Sequence, residues 1–435
     1  MYHKRLIDNV LSDWKNDNDK KPLLLRGARQ VGKSSAVRHL GEQFEHYLEI
    51  NFEENKAIAT LFSQNLSVQQ IVENLSVLFN TPIVAGKTLI FFDEIQTCIP
   101  AISALRFFYE KMPELHVIAA GSLLEFALEE LPSFGVGRVR SLFLYPFSFD
   151  EFLTASGEHL LLESKQKANF SNPLADVLHQ KLLRLLQNFI IIGGMPEVVS
   201  HYLKNQNLLE AQKILDDLYI SLKADFAKYK KRVPLVRLTE VFEAVIKQTG
   251  GKFTFSKATP NANHVQIKEA LDLLMMAGLV VSVTHTAANG IPLGAEMDAK
   301  KRKMMLLDTG IFQRVLGLDL SEILLDSTFI NKGTIAEMFF GLELLKYSSP
   351  YTQNALYYWH REAASGNAEI DFVFQKGSKI LPIEVKSSQK GSMQSLSLFL
   401  KEKNIAEGFR FSLENFSQYQ NIKVFPLYAI SNFVG

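Results

Sequence analysis

The sequence predicts a multidomain α/β chain, and three stretches carry that prediction. "PLLLRGARQVGKSSAVRHL" (22–40) sets a glycine-rich loop between an apolar run and an amphipathic one. Residues 235–307 read as helix, short helix, helix and two strands round a polar tip, the order of a winged helix. "EIDFVFQKGSKILPIEVKSS" (369–388) reads as a hairpin with Asp371 in its first strand and Glu384 and Lys386 in its second. At 435 residues the chain is too long for one ordinary domain. The expected division is a nucleotide-binding domain with a parallel sheet (1–150), a helical lid or connector (151–232), a winged-helix-like domain (233–325) and a carboxy-terminal α/β domain (326–435).

Composition narrows the classes. Apolar residues make up 47%, enough for real cores, and the net charge is +1, so any basic surface must be local. The single cysteine, Cys98, excludes an intramolecular disulfide framework and a Cys-rich zinc site, and fits a reducing cytoplasm. The start, "MYHKRLIDNVLSDWKNDNDKK", is too charged for a signal peptide. No run approaches the ~18–20 apolar residues that span a bilayer, so no membrane partner is expected.

In the first domain the strand Leu23–Leu25 leads into Gly27, Ala28, Arg29, Gln30, Val31, Gly32, Lys33 and Ser34, with Ser35 opening the helix. This is G-x-x-x-x-G-K-[ST] in its strand–loop–helix setting. Backbone N–H groups of such a loop wrap phosphates, and the helix amino end adds a favourable dipole. Lys33 would reach the β- and γ-phosphates of ATP, and Ser34 would offer its hydroxyl to Mg²⁺. "KTLIFFDEIQ" (87–96) is a buried parallel strand ending in two acids: Asp93 would hold Mg²⁺ through water and Glu94 would activate the attacking water. "HVIAAGSLLEF" (116–126) ends a third strand at Ser122, which either senses the γ-phosphate or caps the next helix. Arg138 sits in a loop and either stabilises the transferred charge, in cis or from a neighbouring copy in a homo-oligomer, or makes a surface salt bridge; Arg140 competes for the same role.

The middle third is helical to about residue 230, broken by "GGMPE" (193–197), which reads as a structural turn with Glu197 as an alternative functional residue. From 223 to 303 fourteen Lys/Arg face seven acids, the local basic excess that the chain as a whole lacks. In the third helix of this region Ile267, Leu271, Leu274 and Met275 face the core and His264, Gln266 and Lys268 point outward, as DNA would require. Glu269 and Asp272 share that outer side and would repel phosphate. The domain therefore reads either as a DNA-binding module, with Lys300, Lys301 and Lys303 as phosphate contacts, or as a protein-interaction module.

The last third reads as a helix carrying Glu337 ("KGTIAEMFFGLELLKY", 332–347), a strand, the hairpin, a helix (392–404) and two more strands, "GFRFSL" and "KVFPLYAI". Alternation puts Ile383 and Val385 on one face and Glu384 and Lys386 on the other.

Taken in order, GARQVGKS, LIFFDEIQ, AGSLL, the Gly-Arg loop and YPFSFDEF resemble an AAA-type family of bacterial and archaeal P-loop ATPases that carries an uncharacterised conserved carboxy-terminal domain. The resemblance continues through "GGMPEVV" (193–199), "KMMLLDTGIF" (303–312) and "GTIAEMFF" (333–340). The hairpin and its flanking helices resemble the PD-(D/E)xK nuclease-like fold. That resemblance implies Asp371 and Glu384 as Mg²⁺ ligands, Lys386 polarising a water, Glu337 completing the site, Glu369 as a solvated strand end and Gln389 as a further candidate. Domains of this fold either cut nucleic acid or bind nucleic acid or partners without cutting. The expected function is ATP hydrolysis that drives or gates a nucleic-acid-related module; the alternative is a nucleotide-controlled protein-interaction switch.

Overall fold

A computed structural model describes residues 2–64, 66–129, 131, 135, 137–229, 232–259, 262–317, 333–361, 367–388 and 393–435, with side chains at 228 and 229 left aside. Gln389 and the expected boundary at 325/326 lie outside the described residues. The chain forms two compact units, one of residues 1–145 with 276–278 and 349–353, the other of 146–275, 279–348 and 354–435.

The first unit is built on five parallel strands: β1 (Leu23–Arg26), β2 (His46–Asn51), β3 (Thr88–Asp93), β4 (His116–Ala120) and β5 (Arg140–Phe143). Their order is β2-β3-β4-β1-β5. Every residue of β3 and β4 is buried, as continuous apolar runs in a parallel sheet covered on both faces must be. The helices are α1 (Leu6–Asn16), α2 (Lys33–Gly41), α3 (Ala59–Ser63), α4 (Val68–Leu78), α5 (Ile99–Lys111) and α6 (Leu124–Glu129). The start of α4 is fixed by Ser67 and Gln70, each side chain accepting the other's backbone N–H. Because β4 lies between β1 and β3, the chain leaving β4 is set between the glycine-rich loop and the acids that end β3. The N–H of Phe143 on the edge strand β5 donates to the carbonyl of Pro350 at 2.8 Å.

The second unit begins with helices α7 (Phe149–Ala155), α8 (His159–Lys167), α9 (Asp176–Ile192), α10 (Pro196–Asn205), α11 (Leu208–Asp225), α12 (Leu235–Gln248) and α13 (His264–Met276). Strands β6 (Val280–Thr286) and β7 (Met297–Leu306) follow, then α14 (Thr309–Val315) and α15 (Gly333–Tyr347). Last come β8 (Leu356–Arg361), β9 (Ala368–Lys376), β10 (Lys379–Val385), α16 (Gln394–Lys403), β11 (Gly408–Ser412), β12 (Ser417–Tyr419), β13 (Ile422–Pro426) and α17 (Ile430–Val434). All eight strands join one sheet, ordered β12-β13-β11-β10-β9-β8-β6-β7.

Three expectations change here. The β6–β7 hairpin is no free-standing wing, since β6 pairs in parallel with β8 and extends the carboxy-terminal sheet. Residues 427–430, read as the end of a strand, are helical, and the ladder of β13 ends at Pro426. In α13 Leu273 is buried and Met275 only half-buried, while Ile267, Leu271 and Leu274 face the core as expected.

Three stretches that the sequence leaves without chemistry interlock in this unit. Asp308 caps α14 by accepting the Ile311 N–H (3.0 Å) and also accepts the Gly194 N–H (2.6 Å). Phe147 donates its N–H to the Gly194 carbonyl at 2.7 Å, and the ammonium of Lys346 donates to the Phe147 carbonyl at 2.8 Å. Glu343 accepts from Phe149 N–H (2.9 Å) and from Lys346 (2.9 Å). Gly194 leaves no room for a side chain: a Cβ there would stand 2.4 Å from the Phe147 carbonyl oxygen. The GGMPE turn is thus a keyhole for Phe147 and Asp308. Glu197 stands exposed in the first turn of α10, outside this network.

Candidate functional site

The glycine-rich loop takes its shape from three residues with positive φ: Gly27 (143°), Gln30 (64°) and Gly32 (98°). A Cβ on Gly27 would stand 2.2 Å from the Leu144 carbonyl oxygen, so glycine is required there by space as well as by φ. Ala28 and Val31 are buried, Arg29 is half-buried, and Gln30 and Ser35 are exposed. Lys33, the first residue of α2, is buried and donates to the carbonyls of Gly27 (2.9 Å) and Ala28 (2.7 Å). Burial pushes its ammonium down to about 8, against the pull of Glu94 and Asp93.

The two acids that end β3 point to different partners. The Ser34 hydroxyl donates to Asp93 Oδ2 at 2.9 Å, and the Glu94 N–H donates to Asp93 Oδ1 at 3.1 Å. Burial raises the Asp93 carboxyl, the Ser34 bond lowers it, and Glu94 adds to the rise. Glu94 leaves the strand in the left-handed region (φ 49°), which turns its side chain away from the strand path. Its Oε2 accepts from Gln96 Nε2 (2.6 Å) and from the hydroxyl of Ser122 (3.3 Å). Of the two roles open to Ser122, its hydroxyl bond is thus to Glu94. Ser34, Asp93, Glu94 and Ser122 form one connected group beside Lys33; a magnesium–nucleotide complex, held partly by its own phosphates, needs no more protein oxygens than Ser34 and Asp93 supply.

The candidate arginines lie elsewhere on this unit. Arg138 pairs with Glu110 on α5, and Arg140 stands 3.5 Å from Asp17 and over the ring of Tyr351. Two neighbours of the loop escaped the sequence reading. Arg5, 4% exposed, donates to the Val31 carbonyl (3.2 Å) and to the Tyr145 carbonyl (2.7 Å). Gly278, with φ 72°, comes so close that a Cβ would lie 3.1 Å from the Ala28 nitrogen. Both come from parts of the sequence remote from the motif, so spacing gives no signal for either.

In the second unit Asp371 and Glu384 stand with two lysines. The β8–β9 register runs Tyr357–Val373 and then Trp359–Ile370, so β9 holds one extra residue and Tyr358 faces both Asp371 and Phe372. The β9–β10 ladder ends at Ile383–Phe372, and just past it Asp371 Oδ2 accepts the Val385 N–H at 2.8 Å. Glu384 Oε1 pairs with Lys386 at 2.5 Å, while its Oε2 is buried with no hydrogen-bond partner among the described residues. Lys303 on β7 reaches into the same group: its ammonium pairs with Glu369, lies 3.6 Å from Glu337 on α15 and sits 5.3 Å from the Tyr358 ring centre. With Thr249, Gly250 and Thr334, the residues Lys303, Glu337 and Asp371 line a small cavity.

The ionisations follow from this crowding. Burial, and then Asp371, pushes Glu337 up to about 8. Asp371 and Glu384 are raised chiefly by burial. Burial works against the charge on Lys303, but Glu337, Glu369 and Asp371 together raise it. One reading is corrected here: Lys303 is 5% exposed and not a surface phosphate contact. Glu369 stands near the strand end with its side chain 39% exposed, as expected, and also pairs with Lys303. Among the described residues no three His, Cys, Asp or Glu side chains converge to hold a metal ion.

On the outer side of α13, His264, Gln266, Lys268 and Glu269 are exposed and Asp272 is half-buried. Lys247, Lys252, Lys257 and Lys300 are also exposed, whereas Arg237 is paired with Glu240. No helix of the described residues is long and apolar enough to cross a membrane.

Comparison with known proteins matches three segments of the chain. Residues 19–153 match the model of an AAA domain. Residues 183–322 and 332–430 match two domains of unknown function, DUF8612 and DUF4143. No curated protein matches the chain. Among solved structures, the chain is similar to the Walker-type ATPase PABY2304 of Pyrococcus abyssi, with 16% identity over 72% of this chain and 96% of that one and a TM-score of 0.48. It is similar also to the Aeropyrum pernix ORC1 protein, solved in complex with DNA, with 13% identity over 72% and 90% and a TM-score of 0.28. The strand–loop–helix motif, the acids that end β3 and the match over residues 19–153 together make the amino-terminal part of this chain an AAA-type P-loop ATPase domain.

Proposed function

We propose that the chain hydrolyses ATP and that the nucleotide cycle controls a carboxy-terminal module that binds nucleic acid in the cytoplasm. The observation that carries the first half is the joined group Ser34–Asp93–Glu94–Ser122 beside the loop. Lys33 would exchange its two carbonyl partners for the β- and γ-phosphates. Ser34 and Asp93 would hold Mg²⁺, which when bound neutralises charge on the phosphate oxygens. Glu94 orients and deprotonates the attacking water, and Ser122, bonded to Glu94, fixes that carboxylate and senses the γ-phosphate. Arg138, exposed and paired with Glu110, is the group one copy would offer to the site of the next. Nucleotide binding and turnover of two variants test the assignment. Lys33→Ala should lose binding, and Glu94→Gln should keep binding and lose turnover; unchanged turnover in Glu94→Gln would overturn the role of Glu94.

The second half rests on the exposed lysines of residues 247–300 in a chain of net charge +1. The order helix α12, short helix, α13, hairpin supports a winged-helix-like reading, and the order α15-β8-β9-β10-α16-β11 supports a PD-(D/E)xK-like one. A protein-interaction switch is the second reading, favoured by apolar side chains left in solvent on α12 and α13: Val236 is 68% and Val265 63% exposed. Salt separates them. Binding to DNA should weaken steeply as salt rises; no affinity for DNA or RNA at low salt would turn the assignment to a protein partner.

A further inference from the structure

We infer that Lys303 is a resident cation of the Asp371 cluster: its ammonium takes the place that a divalent metal would need, and the chain neutralises its own nuclease-like site. The resemblance to PD-(D/E)xK proteins implies Mg²⁺ on Asp371 and Glu384, and the residues present do not fit it. A hard cation of that size takes six oxygens at about 2.0–2.1 Å in near-octahedral array, several of them water, and asks the protein for one or two carboxylates free to face it. Here one oxygen of Asp371 is taken by the Val385 N–H, and one oxygen of Glu384 by Lys386. Glu369 and Glu337 face Lys303. Glu384 Oε2 is buried without a hydrogen-bond partner among the described residues, but no three acidic side chains of those residues converge on one point where a metal would sit, and Lys303 stands between Glu369 and Glu337.

The source of the ammonium is the informative part. Lys303 belongs to the edge strand β7, separated from β9 in the sheet by β6 and β8. It is 5% exposed and lies against the face of Tyr358, the residue opposite the bulge that presents Asp371. A lysine stem suits that span, with its methylenes on the ring and its charge at the far end. A dication placed beside the ammonium would meet like charge in a site with little water, where repulsion is weakly screened. The cluster therefore ties the β6–β7 hairpin to β9 and α15, and it cleaves nothing.

The test uses the full chain without nucleotide and Mn²⁺ as the probe, followed by electron paramagnetic resonance. Wild type and Asp371→Asn should give the same Mn²⁺ isotherm. Lys303→Met, which keeps the length and removes the charge, should gain one Mn²⁺ site per chain, and adding Glu337→Gln should remove it. If Lys303→Met fails to fold, Lys303→Arg should fold and bind no more Mn²⁺ than wild type, and the comparison with Asp371→Asn still decides. Either of two results overturns the inference. One is a wild-type Mn²⁺ site, or metal-dependent cleavage of an oligonucleotide, that Asp371→Asn abolishes. The other is a folded Lys303→Met protein with no added site. ATP turnover is untouched by any of these outcomes, so this inference and the ATPase assignment stand or fall separately.

Discussion

Lys33 carries its charge against its surroundings, and that sets a pH dependence. Its ammonium sits near pKa 8 without nucleotide because burial disfavours the charged form. The phosphates need that charge, so the protonated form is the one that binds. Below pH 8 the residue is already protonated and affinity for ATP should be flat. Above pH 8 a proton must first be taken up, and affinity should fall roughly tenfold per pH unit. Nucleotide titrations between pH 7 and 9.5 check this; constant affinity to pH 9.5 would remove Lys33 as the limiting group. The shape of the glycine-rich loop was legible at this scale because its motif is local: a strand, a turn and a helix bring Gly27 to Ser34 together whatever the rest does. Ser122 was legible only as one of two options, since its partner Glu94 lies 28 residues away. Arg5 was not legible at all, because a lone arginine in a charged segment looks like any solvated one until the loop carbonyl it meets is known.

The GGMPE turn and strand β7 show the same limit for whole elements. The sequence marks residues 193–197 as a break between helices, and α9 and α10 do end and start there. It does not say what the break receives. Gly194→Ala would force a methyl group into the Phe147 backbone, and overpacking of that kind costs about 1–3 kcal/mol, more where backbone cannot give way. The expected result is a lower melting temperature with nucleotide-loop chemistry intact; a wild-type melting curve would show that the keyhole relaxes freely. On β7 the basic run splits in two. Lys300 and Lys301 are accessible, and reversing both to Glu should weaken DNA binding for all sequences alike with little change in stability. Lys303→Glu should instead destabilise the second unit by about 3–5 kcal/mol, the range for breaking a buried ion pair by removing a partner. Thermal melts and DNA titrations of the two variants separate these roles; equal stability in both would place Lys303 back on the surface. The split was illegible because alternation along a strand says which residues share a face, not which face a distant helix will cover.

For the molecule as a whole, order of elements was easier to read than their partners. The parallel sheet and the helix–hairpin–helix of the last third follow from local pattern. The merging of β6 and β7 into an eight-stranded sheet does not, since edge strands choose neighbours by long-range contact. The basic excess of residues 223–303 is likewise reduced in practice by Lys303–Glu369, whose acid lies outside that stretch. The salt slope of DNA binding should accordingly be set by the exposed lysines alone: removing Lys303 should leave the slope unchanged, and each of Lys252, Lys257 or Lys268 that touches phosphate should lower it by about 0.9 when removed. Measured log–log slopes for the single variants decide which do.

The carbonyl of Pro350 on the edge of β5 has a consequence in time. Phe143 leaves the ribosome long before its partner exists, and the intervening 206 residues (144–349) take roughly 10–40 s to synthesise. Through that interval the nascent sheet shows an unpaired edge, the kind of surface that recruits other strands. Released chains ending short of residue 350 should be cut by protease near β5 and held by chaperones more readily than released full-length chains.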